Sequence, residues 1–304
     1  MTCVRKPSRH NVLSVESIDE CAFCGRTWVP GVVRRTREHV WSEWIRKQAG
    51  QLPNESWHGS LGLVGHADGS YSDAPLRVIR NKRSVLNQVT REVCKNCNWT
   101  LGRTLEEPVK PLFIALAQAA QSGDPLTIAH GDASTLARWA EKMAITNELA
   151  SGASERVATT AMGQAILAGQ TIRGSVVWAA RHPADYMLLT ALAQPAIGAS
   201  ALPVPGEIER RAAITAITYH YLTLLVFIPG PGLGLLPPSP LFVSLDRWAT
   251  IWPVAGDAEF APTLTVNGRE LERTLTDYSN WLLSPPGLRN IRPAMLPPTV
   301  IQRN

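Results

Sequence analysis

The chain has 304 residues, enough for two ordinary domains, and its 45% hydrophobic and 18% charged residues are typical of a globular protein with a sizeable core. Its longest apolar stretch, "YLTLLVFI", is too short to cross a bilayer, and the basic N-terminus "MTCVRKPSRHNVLS" lacks the apolar segment of a secretory signal. These features argue against a membrane-spanning or secreted protein. They predict a soluble, cytoplasmic chain with no membrane partner.

The net charge of +5 is concentrated in one third of the chain. Residues 26–103 contain 13 Lys and Arg against 6 Asp and Glu, a net charge of +7, so the remainder carries −2. A basic excess of this kind predicts a polyanionic partner such as a nucleic acid. Charge alone leaves open the alternative of a solvated basic face without a ligand.

Two Cys-x-x-Cys pairs lie far apart in the sequence. "ECAFCGR" supplies Cys21 and Cys24, and "REVCKNCNWTLG" supplies Cys94 and Cys97. In a reducing compartment such cysteines are more often metal ligands than disulfides, and two pairs of thiolates close a tetrahedral site that suits Zn2+ and leaves no open position. The sequence therefore predicts one structural zinc ion, with Cys3 as a free thiol.

The stretch between the cysteine pairs contains "TREHVWSEWIRK", in which Glu38 and His39 are adjacent. The arginines Arg34, Arg35 and Arg37 stand just before them and are the expected phosphate contacts. A histidine near its ordinary pKa can accept a proton from water at neutral pH. A carboxylate is a ligand that a hard ion such as Mg2+ prefers. The segment therefore combines residue types suited to phosphodiester hydrolysis.

Apolar residues recur at helical spacing directly after this motif. Trp41, Trp44 and Ile45 are expected to lie in the core, whereas Arg46 and Lys47 are interpreted equally as phosphate contacts or as merely solvated side chains. The following stretch, "SWHGSLGLVGHADGSYSDAPLRVIRNKRSVLNQVTREVC", predicts strands joined by turns. The two cysteine pairs are thus expected to hold a substantial insertion.

A cysteine pair, an adjacent Glu38 and His39, and a second cysteine pair followed at once by Asn98 resemble the HNH endonucleases, also called His-Me finger or ββα-metal nucleases. The resemblance covers about the first 110 residues. It implies an N-terminal zinc-bound ββα-metal finger in which His39 is the general base. It further implies that Glu38 and Asn98 bind a catalytic divalent ion, Mg2+ or Mn2+, and that the products carry 5′-phosphate and 3′-hydroxyl ends.

The predicted function is therefore a metal-dependent HNH endonuclease that hydrolyses DNA phosphodiester bonds. His39 activates a water molecule, and the ion on Glu38 and Asn98 acts as a Lewis acid at the leaving 3′ oxygen. DNA is the expected partner, while RNA and the oligomeric state are left open. The alternative is a non-catalytic zinc-finger module that binds nucleic acid or a protein partner. It is favoured by Glu at position 38, where Asp is commoner in the family, and by the long stretch between His39 and Cys94.

Helices are expected to follow the second cysteine pair. The first starts after Cys97, carries Asn98 in its first turn and ends at Pro108 and Pro111. "PLFIALAQAAQSG" predicts a second helix, and "DASTLARWAEKMAITNELASG" is the clearest helix of the chain, with Trp139 as a core anchor.

The character of the sequence changes near residue 153. "SERVATTAMGQAILAG" predicts a helix, and "IRGSVVWAARH", the end of "AAITAITYHYLTLLVFIP" and "LFVSLDRWATIWPV" predict strands. The predicted fold class is α+β, with a ββα-metal finger, a helical extension and a C-terminal α+β domain. The predicted domains are residues 1–110 for the zinc-stapled HNH domain, 111–152 for a helical connector and 153–304 for a C-terminal domain of unknown role.

Overall fold

The fold is mixed α+β with antiparallel sheets, which confirms the predicted class at that level. The ββα-metal finger and the domain boundaries stay predictions. The computed structural model describes residues 19–48, 56–60, 63–65, 71–73, 77–81, 88–151, 156–183, 190–193, 212–230, 247–267, 270–271 and 274.

The N-terminal part is built from short antiparallel strand pairs and two short helices. β1 pairs antiparallel with β6, β2 with β5 and β3 with β4, so the insertion contains strands as expected. Trp41 and Ile45 are fully buried and Trp44 is half-buried, which confirms their place in the core. The elements in chain order are β1 (Glu38–His39), α1 (Glu43–Gln48), β2 (Ser56–Ser60), β3 (Leu63–Gly65), β4 (Tyr71–Asp73), β5 (Arg77–Asn81), β6 (Val89–Thr90) and α2 (Lys95–Leu101).

The helix that follows the second cysteine pair does not end at the prolines. It continues from α2 through a π-helical turn (Gly102–Glu106) into α3 (Glu107–Ser122), which contains Pro108 and Pro111. The N–H of Glu107, the first residue of α3, donates to the carbonyl of Gly102, five residues earlier. The hydrogen-bond register of the helix therefore shifts before the prolines are reached. Pro108 then occupies the first turn of α3, where a missing N–H costs little. The expected break is therefore wrong.

The C-terminal part is dominated by a five-stranded antiparallel sheet. Its strand order is β12-β8-β11-β10-β9, and β13 pairs separately with β7. The stretch expected to end in one buried strand forms a hairpin of two, because the chain reverses at His220, whose φ is 49°. The remaining elements in chain order are β7 (Leu126–Ile128), α4 (His130–Ser151), α5 (Thr160–Leu167), β8 (Val176–Arg181), β9 (Thr190–Ala193), β10 (Ala212–Tyr219), β11 (Leu222–Pro229), β12 (Ala249–Trp252) and β13 (Ala258–Phe260).

The central element is α4, which is enclosed by the rest of the fold. It packs against α3, α5 and strands β6, β8, β10, β11 and β12, and every residue from Trp139 to Leu149 is buried. Trp139 is fully buried, as expected of a core anchor. One continuous cluster of buried side chains extends from Cys21 to Phe260 through this helix. The cysteine-bearing part and the five-stranded sheet therefore share a core.

The enclosed helix also buries ionisable side chains, among them Glu141. One of its oxygens accepts a hydrogen bond from the backbone N–H of Ile172 at 3.0 Å, and the other contacts the hydroxyl of Ser175. Burial raises the pKa of Glu141 to about 8, against the opposing effects of these hydrogen bonds and of the nearby Arg138 charge. Glu141 is therefore protonated at neutral pH in the folded chain.

This raised pKa predicts a pH-dependent stability. Above pH 4.5, the ordinary pKa of glutamate, the unfolded chain releases a proton that the folded chain keeps on Glu141. The contribution of Glu141 to the free energy of unfolding is therefore fully present below pH 4.5 and is lost as pH rises through about 8. The loss is on the order of 5 kcal/mol at most. Glu141→Gln should flatten the curve of unfolding free energy against pH in this window, measured by denaturant titration. The exposed Glu107→Gln is the matched control, and equal slopes for both variants would contradict the assignment.

Candidate metal centre and its surroundings

The first cysteine pair lies in a tight turn. The N–H of Gly25 donates to the carbonyl of Cys21 at 2.8 Å, and the N–H of Cys21 donates to the carbonyl of Arg26 at 2.9 Å. Gly25 has a φ of 72°, a left-handed conformation that favours glycine. This turn directs the sulfurs of Cys21 and Cys24 to the same side.

The second cysteine pair lies at the start of α2. Cys94 is the N-cap residue, and its sulfur accepts a hydrogen bond from the N–H of Cys97 at 3.4 Å. The N–H of Cys94 donates to the sulfur of Cys21 at 3.3 Å, which joins the two pairs. A hydrogen bond from Cys97 lowers the pKa of Cys21 to about 4, against the effect of burial.

The four cysteine sulfurs form one cluster. All four ligand atoms lie within 4.8 Å of one another, and those of Cys24 and Cys94 are 3.9 Å apart. In a tetrahedral site with Zn–S bonds of about 2.3 Å, the sulfur atoms are separated by about 3.8 Å. The predicted four-cysteine cluster is confirmed, and its donor atoms and spacing are consistent with a structural Zn2+ site.

Helix α5 supports the first cysteine turn. A Cβ atom at Gly163 would lie 2.5 Å from the Cα of Phe23 and 2.6 Å from the carbonyl oxygen of Ala22, so only glycine permits this approach. Thr160 also donates to the carboxylate of Glu20 at 2.8 Å. The metal centre therefore depends on contacts made by a helix from beyond residue 153.

Glu38 faces the interior and forms an ion pair with Lys142 of α4. The Glu38 residue is 6% exposed and the Lys142 residue 0% exposed. The ammonium of Lys142 also donates to Glu106 at 2.8 Å. Burial raises the pKa of Glu38, opposed by the Lys142 charge, whereas for Lys142 the two carboxylates outweigh burial and raise its pKa. Glu38, the expected ligand of the catalytic divalent ion, is thus already paired with a cation.

His39 lies on the opposite face of β1 from Glu38, because adjacent residues of a strand point to opposite sides. Its ring nitrogens lie 3.2 Å and 3.1 Å from Nη1 of Arg46, a contact that neither interpretation of Arg46 anticipated. Burial, followed by the charge of Arg46, lowers the pKa of His39. The imidazole is therefore neutral at pH 7 and able to accept a proton.

Asn98 lies in α2 directly after Cys97, half-buried. Its side-chain amide donates to the hydroxyl of Thr36 at 3.4 Å. Thr36 lies two residues before Glu38, outside β1. Among the described residues, no hydrogen bond joins the side chains of Glu38, His39 and Asn98. The structure thus brings Asn98 to the segment that leads into Glu38, and no contact joins the three predicted site residues.

The three arginines expected to contact phosphate are all exposed. Arg35 stacks over the ring of Trp28, with its guanidinium carbon 4.8 Å from the ring centroid. Arg34 lines a cavity of about 210 Å³ beside Cys94, together with Arg26 and Lys95. Among the described residues, basic side chains are therefore exposed next to the cysteine cluster.

Several residues at this site were not expected from the sequence. Lys142 and Glu106 are distant from Glu38 in the chain, and neither carries a motif that would have revealed the pairing. Gly163 resembles an ordinary helical glycine. By contrast, Lys95, Trp99 and Arg103 recur every four residues, and that spacing could have indicated one helical face.

No protein-family model, no curated protein and no solved structure matches this chain. Among the described residues, no helix has both the length and the apolar character needed to cross a membrane.

The close approach of α5 predicts that Gly163→Ala loosens the metal centre. The added methyl group would force apart the backbones of α5 and the cysteine turn, at a cost of about 1–3 kcal/mol. We expect lower zinc affinity, measured by competition with a chelator, and a lower melting temperature. Gly256→Ala is the matched control, since no atom lies within 4 Å of the place that its added methyl group would take. Cys94→Ser is the positive reference. The metal centre itself would be refuted if protein purified without chelators contained no zinc.

Proposed function

We propose that this chain is a metal-dependent endonuclease of the HNH type that acts on DNA. The observation that supports it best is the position of Asn98, whose side chain donates to Thr36, two residues before Glu38. The strand pair β1 and β6 followed directly by α2 carries these residues in the order that the resemblance implies. The proposed oxygen donors of a hard-ion site therefore lie on two segments that a β-bridge between Arg35 and Cys94 joins.

His39 is the proposed general base. Its lowered pKa leaves the imidazole neutral, so one ring nitrogen can take a proton from water as the water oxygen attacks phosphorus and the bond to the 3′ oxygen breaks. The charge of Arg46 opposes the protonated form, and its Nη1, which can only donate, must move off the ring nitrogen that takes the proton. His39 is half-buried, so the imidazole still reaches solvent.

The donor atoms of Glu38 and Asn98 fit a hard divalent ion such as Mg2+ or Mn2+. When bound, such an ion supplies Lewis acidity and neutralises charge at the leaving oxygen. Lys142 limits this fit, because its ammonium is paired with one carboxylate oxygen of Glu38. An ion at this position would share Glu38 with Lys142 or displace it.

The exposed arginines supply the substrate contacts. Arg34 and Arg37 are exposed on the segment that leads into Glu38 and His39, and Arg26 and Lys95 extend the basic surface around the cavity. Guanidinium groups bind phosphate with two parallel hydrogen bonds, so they can hold a nucleic-acid backbone beside β1. Binding through these residues does not require cleavage.

A second candidate function is favoured by the ion pair of Lys142. The ammonium already pairs with both Glu38 and Glu106 and cancels one of their two negative charges, which weakens the attraction for a divalent ion. The protein would then be a zinc-dependent nucleic-acid-binding module without hydrolytic activity. A plasmid-nicking assay with and without Mg2+ or Mn2+ distinguishes the two functions.

The proposed roles of His39 and Asn98 predict two different defects. His39→Ala removes the proton acceptor, so cleavage should fall by about 10²- to 10⁴-fold, while zinc content and DNA affinity stay those of the parent. Asn98→Ala should raise the Mg2+ concentration needed for cleavage, and excess Mg2+ should restore part of the rate. Both are measured by nicking of supercoiled plasmid.

Added Mg2+ should not rescue His39→Ala, which is the control that separates base from ligand. If the parent cleaves and His39→Ala cleaves equally well, the active site lies elsewhere. If His39→Ala loses zinc and unfolds, the histidine has a structural role instead.

The ion pairs of Lys142 with Glu38 and Glu106 predict how a divalent-ion site would respond to removal of the lysine side chain. Lys142→Met leaves the buried Glu38 and the partly buried Glu106 without a counter-charge and should cost about 3–5 kcal/mol of stability. If Glu38 and Asn98 can hold a divalent ion, Mg2+ should raise the melting temperature of this variant more than that of the parent. The double variant Lys142→Met/Glu38→Gln is the control. An equal response of single and double variants to Mg2+ would count against Glu38 as a ligand.

A further inference from the structure

The outer face of α2 carries an exposed tryptophan that the proposed chemistry does not use. Trp99 is 62% exposed and directly follows Asn98. The other tryptophans whose side chains the structure describes are buried or half-buried. A single exposed apolar residue is common on protein surfaces, so its neighbours decide whether it has a role.

Cations flank the exposed indole on both sides. Lys95 precedes Trp99 by four residues and Arg103 follows it by four, which places them along one side of the helix at about 6 Å of axial rise each. The guanidinium of Arg103 lies over one face of a Trp99 ring, with its carbon 4.8 Å from the ring centroid, so only the opposite face remains for another group. Both cations are exposed. The face therefore alternates positive charge, aromatic ring and positive charge.

This face continues into the basic cavity through Lys95. The N–H of Lys95 donates to the carbonyl of Arg34 at 3.0 Å, and both residues line the cavity with Arg26. Two acidic residues follow Arg103 along the chain. Glu106 pairs with Lys142 in the interior, so Glu107, one turn beyond Arg103, is the first acidic residue that can lie on this face. A continuous surface thus runs from Arg26 through Lys95 and Trp99 to Arg103.

We propose that Trp99 is a stacking platform for an unpaired base, and that the surface from Arg26 to Arg103 binds single-stranded nucleic acid. Aromatic side chains bind bases through their faces, which a stacked duplex does not offer, while flanking cations hold the backbone. The charge of the surface is complementary to phosphates on both sides of the base. The inference rests on the proposed nucleic-acid function, but it does not require cleavage.

The test is the binding of labelled oligothymidylate, which has no stable pairing of its own, against a labelled hairpin duplex at fixed salt. Trp99→Ala should weaken oligothymidylate binding by about 5- to 150-fold and change duplex binding much less. Trp99→Phe should keep most of the affinity and Trp99→Leu should not, because the ring face is what binds. Arg103→Ala should reduce the slope of log affinity against log salt by about 0.7.

Leu264→Ala is the matched control, since Leu264 is another exposed apolar residue and is remote in sequence from this surface. Zinc content and melting temperature of each variant show that the fold is intact. Equal oligothymidylate affinity of the parent and Trp99→Ala would overturn the inference, as would a parent that binds only the duplex or neither probe.

These outcomes are distinct from those of the endonuclease assay. If the parent cleaves nothing but binds oligothymidylate through Trp99, the endonuclease proposal fails and the binding surface stands. If the parent cleaves and Trp99→Ala binds and cleaves both probes like the parent, the endonuclease proposal stands and this surface is refuted.

Discussion

The sulfur cluster fixes the relative position of the two segments on which the proposed chemistry depends. Arg35 forms a β-bridge with Cys94, and the N–H of Lys95 donates to the carbonyl of Arg34, so β1 and α2 are aligned beside the cysteines. The contact between Asn98 and Thr36 follows from that alignment. Because metal-thiolate bonds can supply much of the folding energy of a small module, loss of the metal would separate these segments.

The buried Lys142 connects this region to the rest of the fold. Its ammonium lies between Glu38 of β1 and Glu106 of the π-helical turn, on a helix that also packs against the five-stranded sheet. Removing water from three charges is costly, and the ion pairs offset that cost only while all three partners remain in place. The arrangement therefore favours one specific docking of β1 on α4 more than it adds to stability.

The sequence predicted those features that depend on local pattern. Paired cysteines, the apolar spacing around Trp139 and the strand-rich insertion all reflect short-range rules, and the structure contains them. The sequence could not predict that Lys142 pairs with Glu38 or that Gly163 contacts Phe23, because both contacts depend on tertiary packing. The helix through Pro108 was missed for a local reason, since a π-helical turn has no clear sequence signature.

The two side chains proposed for the chemistry lie on different faces of β1. Glu38 points to Lys142 in the interior, whereas His39 lies on the other face beside Arg46. The exposed arginines lie outside the ion pair of Glu38, so the proposed nucleic-acid binding would not depend on a divalent ion. Hydrolysis requires more, because base and ion must act on one phosphate from opposite sides of a strand edge. We therefore expect the competition between Lys142 and a divalent ion for Glu38 to decide between the two proposed functions, a nuclease and a binding module.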